Sequence, residues 1–262
     1  MNKNVDIFIY SHIPFIPLVK NPVYKILTNC HADDKEFNTS LPIYRDYVGE
    51  NISDKNLIFN EYSGFYWLLN NWDLKQYTGM IHYRRYFEFM DDVPDINKIF
   101  KKHRIILNEK FELAYNKVPK TNREFYEIWH NIKDFDLMEE IVKDLYPEYA
   151  KGWDVMANST HIYPSSLFIM PKDMFEEYLT FAFDCMDTFN DERGCHTRDE
   201  WISYVNEHKD EYVHPQHGYY NVTMQARATG YLVERCLAAF LMNGGRKSLE
   251  NNSLQIKWSV TS

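Results

Sequence analysis

Short apolar runs rich in β-branched and aromatic residues recur along the chain, and polar or turn-forming residues bound each of them. Such runs are typical of buried strands in an α/β sheet. We therefore predict strands at Val5–Tyr10, Tyr77–Tyr83, Arg104–Leu107 and Ser166–Met170. Residues 20–60 contain several prolines, asparagines and aspartates, and we expect most of this segment to be irregular.

Other apolar positions recur with the period of an α-helix. In the segment Glu61–Trp72, the side chains of Tyr62, Phe65, Tyr66 and Leu69 form one apolar face, which we interpret as core. Further helices are predicted from an N-cap at Asp134, directly after Pro171, over Asp199–Glu207 and over Tyr231–Met242.

The C-terminal segment shows a change of period. The pair Gly244-Gly245 is a helix stop signal, and beyond it Leu254, Ile256, Trp258 and Val260 alternate with polar residues, which predicts a final edge strand. The alternation of predicted strands and helices implies an α/β fold with a mixed sheet flanked by helices, in a single domain over residues 1–262.

Charge and composition exclude some classes of function. The 262 residues carry a net charge of −9, which argues against nucleic acid as the main partner because phosphate binding needs a basic field. The four cysteines lack metal-site spacing and the N-terminal residues lack a signal-peptide core, so we expect a cytoplasmic protein. No apolar run approaches the ~18 residues of a membrane-spanning helix, and peripheral contact with the inner face of the membrane stays open.

A basic cluster stands out in this acidic chain. In the segment YTGMIHYRRYF, Tyr77–Phe87, the predicted strand Tyr77–Tyr83 delivers His82, Arg84 and Arg85 at its C-terminal end, where ligands bind in open α/β sheets. Arginine forks bind phosphate oxygens in a bidentate manner. Strand alternation places His82 and Arg84 on one side and Tyr83 and Arg85 on the other. We include Tyr83 among the candidates for donor binding. The alternative is that both arginines form ion pairs inside the fold.

Two further groups of donors precede or follow predicted elements. Ser11 and His12 end the first strand, where a nucleotide could bind or the chain could simply turn. A second group lies just before the aromatic helix and offers amide, hydroxyl and ammonium donors that suit a base, ribose or phosphate. It consists of Asn51, Ser53, Lys55 and Asn56. A hydrogen-bonded loop is the alternative for this group.

These strings together resemble a known family. GENISDKN at Gly49–Asn56, the helix with YWLLNNW and then YTGMIHYRRYF are similar to bacterial polysaccharide-biosynthesis glycosyltransferases of capsule and O-antigen synthesis, long catalogued as a domain of unknown function. Glu50 and Met80 depart mildly from the family pattern. The likeness continues more loosely at Ser166–Tyr178 and Gly230–Arg235.

The resemblance implies a GT-A-like, Rossmann-related fold and transfer of a sugar from a nucleotide diphosphate donor, with a UDP-sugar expected. The acceptor would be a saccharide or a lipid-linked saccharide, and the enzyme a hexosyltransferase. We assign residues 1–110 to a donor half and residues 111–262 to an acceptor half. The alternative function is a non-catalytic nucleotide-sugar or carbohydrate-binding subunit of a polysaccharide assembly complex. The sequence predicts no oligomeric state.

Many GT-A enzymes hold a divalent metal with a DxD motif. The one literal DxD, Asp134-Phe135-Asp136, stands at a predicted helix start, so we interpret Asp134 as a cap. Asp91 and Asp92 are the weaker metal candidate. We expect no metal, and hypothesise that His82, Arg84 and Arg85 act as fixed cationic donors to the diphosphate.

A catalytic base is harder to identify from the sequence. Our choice is Glu234, with an ion pair to Arg235 as the structural alternative, while Asp154 and Glu61 are unranked further candidates. Histidines within residues 190–221 suggest a zinc site, but their spacing is loose, and we interpret them as structural or as a solvated loop. They are His196, His208, His214 and His217, with Cys195.

Overall fold

The structure is a computed structural model that describes residues 4–213, 220–243, 249 and 253–260. The strands are β1 Val5–Ser11, β2 Tyr24–Thr28, β3 Ile43–Arg45, β4 Tyr77–His82, β5 Arg85–Phe87, β6 Ile105–Asn108, β7 Phe111–Glu112, β8 Ala114–Tyr115, β9 Val118–Pro119, β10 His161–Ile162, β11 Phe168–Pro171, β12 Ser253–Ile256 and β13 Trp258–Val260. The α-helices are α1 Asn56–Phe59, α2 Tyr62–Asn71, α3 Ile96–Phe100, α4 Asn122–Trp129, α5 Ile132–Leu145, α6 Ala150–Asn158, α7 Lys172–Arg193, α8 Arg198–Glu207, α9 Lys209–Tyr212, α10 Val222–Gln225 and α11 Ala228–Met242.

The main sheet has the strand order β12-β6-β11-β4-β1-β2-β3, with β5 pairing to β4 and β13 pairing to β5. β1 runs parallel to β2 and β4, whereas β11 runs antiparallel to β4 and β6. The predicted mixed sheet flanked by helices is therefore confirmed. Among the described residues, no helix is long and apolar enough to cross a membrane.

The connection after β1 creates a crevice at one edge of the sheet. The chain passes from β1 to β2 and β3 on one side, and β4 then pairs with β1 on the other side. The strand order thus reverses between β1 and β4. In open α/β sheets such a switch point opens a crevice at the carboxyl ends of the strands, where ligands bind.

The alternation of side chains along the strands builds two cores, one on each face of the sheet. Phe8, Met80 and Phe168 belong to the core that packs against the large helices, and Ile9 and Ile169 belong to the core on the opposite face. The helices of the first face are α2, α5, α6, α7 and α11. The two cores together hold the crevice between β1 and β4 rigidly in place.

The helical predictions are confirmed with small changes of boundary. On α2, Tyr62 and Phe65 are buried, and the Phe65 ring stacks on Phe168 with centroids 5.3 Å apart. Tyr66 was predicted in the same core face, but its side chain lies at the surface and its hydroxyl donates to Glu50 over 3.0 Å. Leu68 is buried in its place, because the contact face of the helix is rotated from the predicted one.

The prediction that residues 20–60 are irregular is wrong in part, because the segment contains β2 and β3. A lysine within β2 interrupts its apolar run, so the strand was not recognised in the sequence. The Lys25 ammonium is buried and contacts the buried Asp6 carboxylate at 2.6 Å, so the charge is paired within the sheet. Periodicity is weak in so short a strand, and pairing with β1 supplies its stability.

Two predicted strands end earlier than expected. β4 stops at His82, the chain reverses through Tyr83 and Arg84, and Arg85 pairs back with His82 in β5. The predicted final strand is two strands, because the chain leaves β12 beside β6 and enters β13 beside β5. The predicted stop at residues 244–245 lies outside the described residues.

Candidate active site

A cavity of about 390 Å³ lies at the carboxyl ends of β1 and β4, at the switch point of the sheet. The ends of these strands contribute Tyr10, His12, His82 and Arg84. The α1–α2 segment contributes Asn56, Leu57, Asn60 and Glu61, and the C-terminal part contributes Arg198, Thr223 and Arg227. The cavity therefore combines residues of both predicted halves, and the division at residue 110 itself stays a prediction.

The wall of the cavity is strongly basic although the chain is acidic. Three arginines from separate elements line it: Arg84 in the β4–β5 turn, Arg198 at the start of α8 and Arg227 just before α11. The Arg84 guanidinium lies over the Tyr83 ring, 4.9 Å from its centroid, which orients it. Converging guanidinium groups are suited to phosphate oxygens.

The pKa values of the two histidines of the cavity are both lowered. Burial and the charges of Arg84, Arg85 and His12 lower the pKa of His82 to about 3, and its Nδ1 is buried with no hydrogen-bond partner in the described residues. The pKa of His12 is also lowered, by burial and by nearby arginines. Burial thus favours the neutral form of His82, which opposes the cationic role predicted for it, and that role stays a prediction.

A buried polar network fixes the α1–α2 segment to the end of β1. The Tyr10 hydroxyl donates to Asp46 over 2.8 Å, and Asn56 Nδ2 donates to the Tyr10 oxygen and to the Asn60 carbonyl over 2.7 Å each. A Cβ at Gly64 would lie 2.5 Å from the Tyr10 ring, so only glycine permits this close approach. Asn56 thus both lines the cavity and holds its wall.

Asn60 joins this wall to the C-terminal helix. Its backbone has φ 55°, a conformation that is costly for a residue with a side chain and is common at functional sites. Arg227 Nε donates to Asn60 Oδ1 over 3.1 Å, and a Cβ at Gly230 would overlap Asn60 Nδ2. The strained residue therefore sits between a cavity arginine and α11, directly before Glu61.

Glu61 is the carboxylate of the cavity wall, among the described lining residues. Burial and the neighbouring Glu234 raise its pKa to about 7, against the opposing effect of its own backbone N–H and of Arg227 and Arg85. Its Oε1 atom is buried and has no hydrogen-bond partner in the described residues. A buried, unpaired carboxylate oxygen at the edge of a cavity is an open acceptor position for a ligand.

Glu234, the base chosen from the sequence, lies beside Glu61 and is not among the cavity-lining residues. Its Oε1 accepts from the Ser165 backbone N–H over 3.2 Å, and burial raises its pKa. Ser165 and Ser166 have φ values of 65° and 44°, so this loop is strained too. Arg85 interacts electrostatically with both glutamates and does not line the cavity.

The other predicted donors do not line the cavity. Ser11 Oγ accepts from the Ile13 backbone N–H over 3.1 Å and closes the turn after β1. The predicted loop alternative describes Asn51 and Ser53 well, since the Asn51 side chain accepts from Ser53 Oγ over 3.0 Å. Lys55 and Tyr83 lie behind the wall, packing on Phe59 and on His12. The donor-binding roles predicted for Ser11, Asn51, Ser53, Lys55 and Tyr83 stay predictions.

The residues of the DxD motif do not fit a metal site. Arg193 donates to Asp134 over 2.9 Å and Tyr212 donates to it over 3.0 Å, so both carboxylate oxygens are engaged in a buried cluster. The predicted N-cap is wrong, because Asn131 caps α5 and Asp134 lies in its first turn. Asp136 pairs with Arg123 at the surface.

The remaining metal and base candidates are also held by other contacts. Asp91 Oδ1 accepts from the backbone N–H groups of Lys20 and Asn21 over 2.7 Å each. Asp154 pairs with Lys143 over 3.1 Å, away from the cavity.

The structure describes some of the residues that suggested a zinc site and not others. Cys195 is buried, His196 is exposed, and His208 Nδ1 lies 2.9 Å from the Tyr204 carbonyl. His214 and His217 lie outside the described residues. Within the described ranges no group of three or more His, Cys, Asp and Glu side chains is placed to hold a metal ion.

Six cavity residues were not predicted from the sequence. They are Tyr10, Leu57, Asn60, Arg198, Thr223 and Arg227. Arg198 and Thr223 lie in or just after the polar segment of residues 190–221, where no pattern marks a ligand-binding side chain. An arginine directly before the C-terminal helix was the available signal for Arg227, since a cation at a helix N-terminus opposes the helix dipole and suggests another partner.

Residues 6–246 match the family described as Domain of unknown function (DUF4422), and the chain belongs to this family. No curated protein matches the chain. Among solved structures, the apo structure of the bifunctional glycosyltransferase WbbM is similar over 99% of this chain, with 21% identity and a TM-score of 0.74. The likeness shows a shared fold, and it confirms the predicted fold class.

The chain spans less than half of the WbbM chain, 46% of its length. The mannosyltransferase Ktr4p from S. cerevisiae is matched over 71% of this chain and 62% of its own, at 11% identity. Its TM-score of 0.36 is too low for any conclusion about this protein.

Proposed function

We propose that the protein is a glycosyltransferase of the hexosyltransferase type. It takes a sugar from a nucleotide diphosphate donor, with a UDP-sugar expected, and transfers it to a saccharide or lipid-linked saccharide in the synthesis of a bacterial surface polysaccharide. The family match, the resemblance of the GENISDKN and HYRRYF strings and the fold shared with WbbM support this proposal. The expected place of action is the cytoplasmic side of the membrane.

The observation that carries the proposal is the convergence of Arg84, Arg198 and Arg227 on one cavity at the switch point of the sheet. When the bond between the sugar and the diphosphate breaks, negative charge develops on the leaving phosphate. Guanidinium groups already oriented toward that position stabilise this charge without a cost of reorganisation. Arg84 is the member of this set that the sequence predicted, and Arg198 and Arg227 join it here.

The proposal needs no DxD metal. The carboxylates of Asp134 and Asp136 are occupied by arginine and tyrosine donors, and Asp91 is occupied by backbone N–H groups. We therefore assign stabilisation of the leaving group to the three arginines. Activity that disappears in chelator and returns with manganese or magnesium would contradict this assignment.

Thermal-shift titration of the purified protein with UDP, GDP and their sugars tests the donor class, because a ligand of the native state raises its melting temperature. We expect stabilisation by one nucleoside diphosphate, and its loss in Arg84→Ala but not in the surface variant Arg123→Ala. Release of free sugar from the stabilising donor should follow. Absence of any shift would contradict the proposal, and binding without transfer or hydrolysis would favour the non-catalytic binding subunit.

A further inference from the structure

We propose that Glu61 is the general base of the transfer and that the transfer inverts the configuration of the anomeric carbon. This inference rests on the proposed function and adds to it the acceptor side of the site. Glu234 then acts through Glu61, as a positioning residue that keeps the neighbouring carboxylate basic. Asn60 holds Glu61 at the cavity wall.

The position of Glu61 is the first argument. Among the described residues that line the cavity, it is the one with a carboxylate, and three arginines share that cavity with it. Its buried Oε1 has no hydrogen-bond partner in the described part of the chain. A hydroxyl group of the acceptor would satisfy this oxygen, which is the contact that a base needs with the proton it removes.

The chemistry follows as one displacement. The proton of the acceptor hydroxyl passes to the Glu61 carboxylate, and the acceptor oxygen forms a bond to the anomeric carbon. The bond from that carbon to the diphosphate oxygen breaks, and its electron pair leaves with the nucleoside diphosphate, whose charge faces the arginines. A single attack opposite to the leaving group inverts the anomeric configuration.

The surroundings of Glu61 tune it for this task. The groups that act on it are Glu234 of α11, Arg227 before α11 and Arg85 of β5, and it in turn acts on the buried hydroxyls of Tyr10, Tyr62 and Tyr178. Burial and Glu234 raise its pKa, and a hydrogen bond from its own backbone N–H and the two arginines oppose them, with a net value of about 7. A carboxylate with a pKa near the working pH is an effective base.

The backbone supports the same assignment. Asn60 keeps a left-handed φ of 55° next to Glu61, and its side chain accepts from Arg227 while packing against Gly230. The surrounding contacts thus fix a conformation that is otherwise costly. The strained residue links the orientation of a cavity arginine to the position of the adjacent carboxylate.

The stereochemistry of donor hydrolysis gives a test that needs neither a variant nor a known acceptor. Proton NMR of the reaction of wild-type protein with the donor that stabilises it should show that the first free sugar has the anomeric configuration opposite to that of the donor. First release of the donor's own anomer would overturn the inference. The donor-binding proposal would survive that result, since binding is measured separately.

Substitution of the base gives the second test. We expect Glu61→Gln to lower the rate of sugar release or transfer by about 10²–10⁴-fold, while its affinity for the nucleoside diphosphate remains within about threefold of wild type. Glu61→Asp should retain part of the rate. A Glu61→Gln variant that binds the nucleotide normally and keeps the wild-type rate would exclude Glu61 as the base.

The role of Glu234 is tested by a pH profile. Removal of its negative charge in Glu234→Gln should make Glu61 more acidic, so the acidic limb of log kcat/KM should move to lower pH by roughly half a unit or more. Glu50→Gln, at the surface beside Tyr66, is the matched control and should leave the limb in place. An unmoved limb in active Glu234→Gln would exclude the positioning role.

Discussion

Glu61 and the Asp134 cluster are two buried carboxylate sites with raised pKa values and opposite surroundings. Burial raises the pKa of Asp134 to about 6 and that of Glu61 to about 7. Both oxygens of Asp134 accept from Arg193 or Tyr212, inside a closed junction of α5, α7 and α9. Glu61 Oε1 has no such partner in the described residues, and the side chain lines a cavity.

The difference shows that a perturbed pKa alone does not identify a functional site. The pKa of Asp134 is raised because the carboxylate is buried in a structural ion pair, and both of its oxygens already accept from donors. The pKa of Glu61 is also raised, but its Oε1 atom can still accept a hydrogen bond from a ligand. Two properties therefore distinguish the structural carboxylate from the candidate catalytic one: whether its oxygens already accept hydrogen bonds, and whether the side chain lines a cavity.

The largest effect on stability should come from removing the ion-pair partner of Asp134 in the buried cluster. Arg193→Ala leaves the Asp134 carboxylate buried without its counter-charge, and we expect a loss of about 3–5 kcal/mol in the free energy of unfolding. Urea unfolding measures it. Arg123→Ala removes a surface pair with Asp136 and should cost at most about 1 kcal/mol. Equal losses in the two variants would show that the buried Asp134–Arg193 pair contributes no more to stability than the surface pair.

A single methyl group added beside Asn60 should disturb the cavity wall that contains Glu61. In Gly230→Ala the new Cβ overlaps Asn60, so the Asn60–Glu61 backbone must shift. We expect transfer to fall by about 10- to 100-fold, because small misplacements of catalytic groups are costly, and stability to fall by about 1–3 kcal/mol.

Gly194→Ala is the matched control for this prediction. Gly194 ends α7 with φ 63° and has open space around its Cβ position, far along the chain from Asn60. The substitution should cost about 1 kcal/mol of stability and leave the rate of transfer unchanged. A control variant that lost as much activity as Gly230→Ala would mean that activity follows stability alone.

Removal of one cavity arginine should weaken donor binding without affecting the Asp134 cluster. Arg198→Ala loses one guanidinium that faces the cavity, and we expect the Kd for the nucleoside diphosphate to rise about 10- to 100-fold, the effect of one charged hydrogen bond. Calorimetric titration measures it. Lys172→Ala, in a surface pair with Glu176, should bind as wild type. An unchanged Kd in Arg198→Ala would remove Arg198 from the donor site.

The smallest expected effect is in the pH dependence of stability. A raised folded pKa means that the native state holds a proton which the unfolded chain has released, so stability falls as the pH rises. For Asp134 this fall spans the range from its ordinary value of 3.8 to about 6, and for Glu61 the range from 4.5 to about 7. Glu61→Gln should therefore flatten the curve between pH 6 and 7, by about 1 kcal/mol.

Urea unfolding of wild type and Glu61→Gln at pH 5, 6, 7 and 8 would measure this difference. Subtraction of the two curves removes the contribution of Asp134 and of other distant groups, which are present in both proteins, and leaves that of Glu61 together with its coupling to Glu234. Parallel curves would mean that the Glu61 pKa is the same in the folded and unfolded states.

Strong local patterns in the sequence predicted much of the fold. β1, β4, β6 and β11 were predicted because each contains a short, mostly apolar run, and the long helices because their apolar period is regular. β2 escaped because Lys25 interrupts its apolar run, and only the buried Asp6 of β1 makes that lysine tolerable. Its partner is distant in sequence, so no local window contains the reason for the strand.

The candidate site was predicted less completely than the fold. His12, His82, Arg84 and Asn56 were chosen as candidates because they follow or precede recognisable elements, and they line the cavity, while their roles stay predictions. Glu234 was preferred as the base over Glu61 because the sequence offers no measure of exposure to a cavity. Arg198 and Arg227, which were not predicted, each stand at the start of a helix, and the local sequence does not show that their side chains reach the same cavity as Arg84.

The sequence by itself determined the class of the fold, the basic string at the end of β4 and the resemblance to a glycosyltransferase family, since each depends on neighbours along the chain. Only the tertiary structure decided that Arg198 and Arg227 join Arg84, that burial lowers the pKa of His82, that Arg193 and Tyr212 bind Asp134 of the DxD, and that Glu61 Oε1 has no hydrogen-bond partner among the described residues. The physical reason is that charge, burial and hydrogen-bond satisfaction depend on groups that are distant in the chain and meet at one point in space.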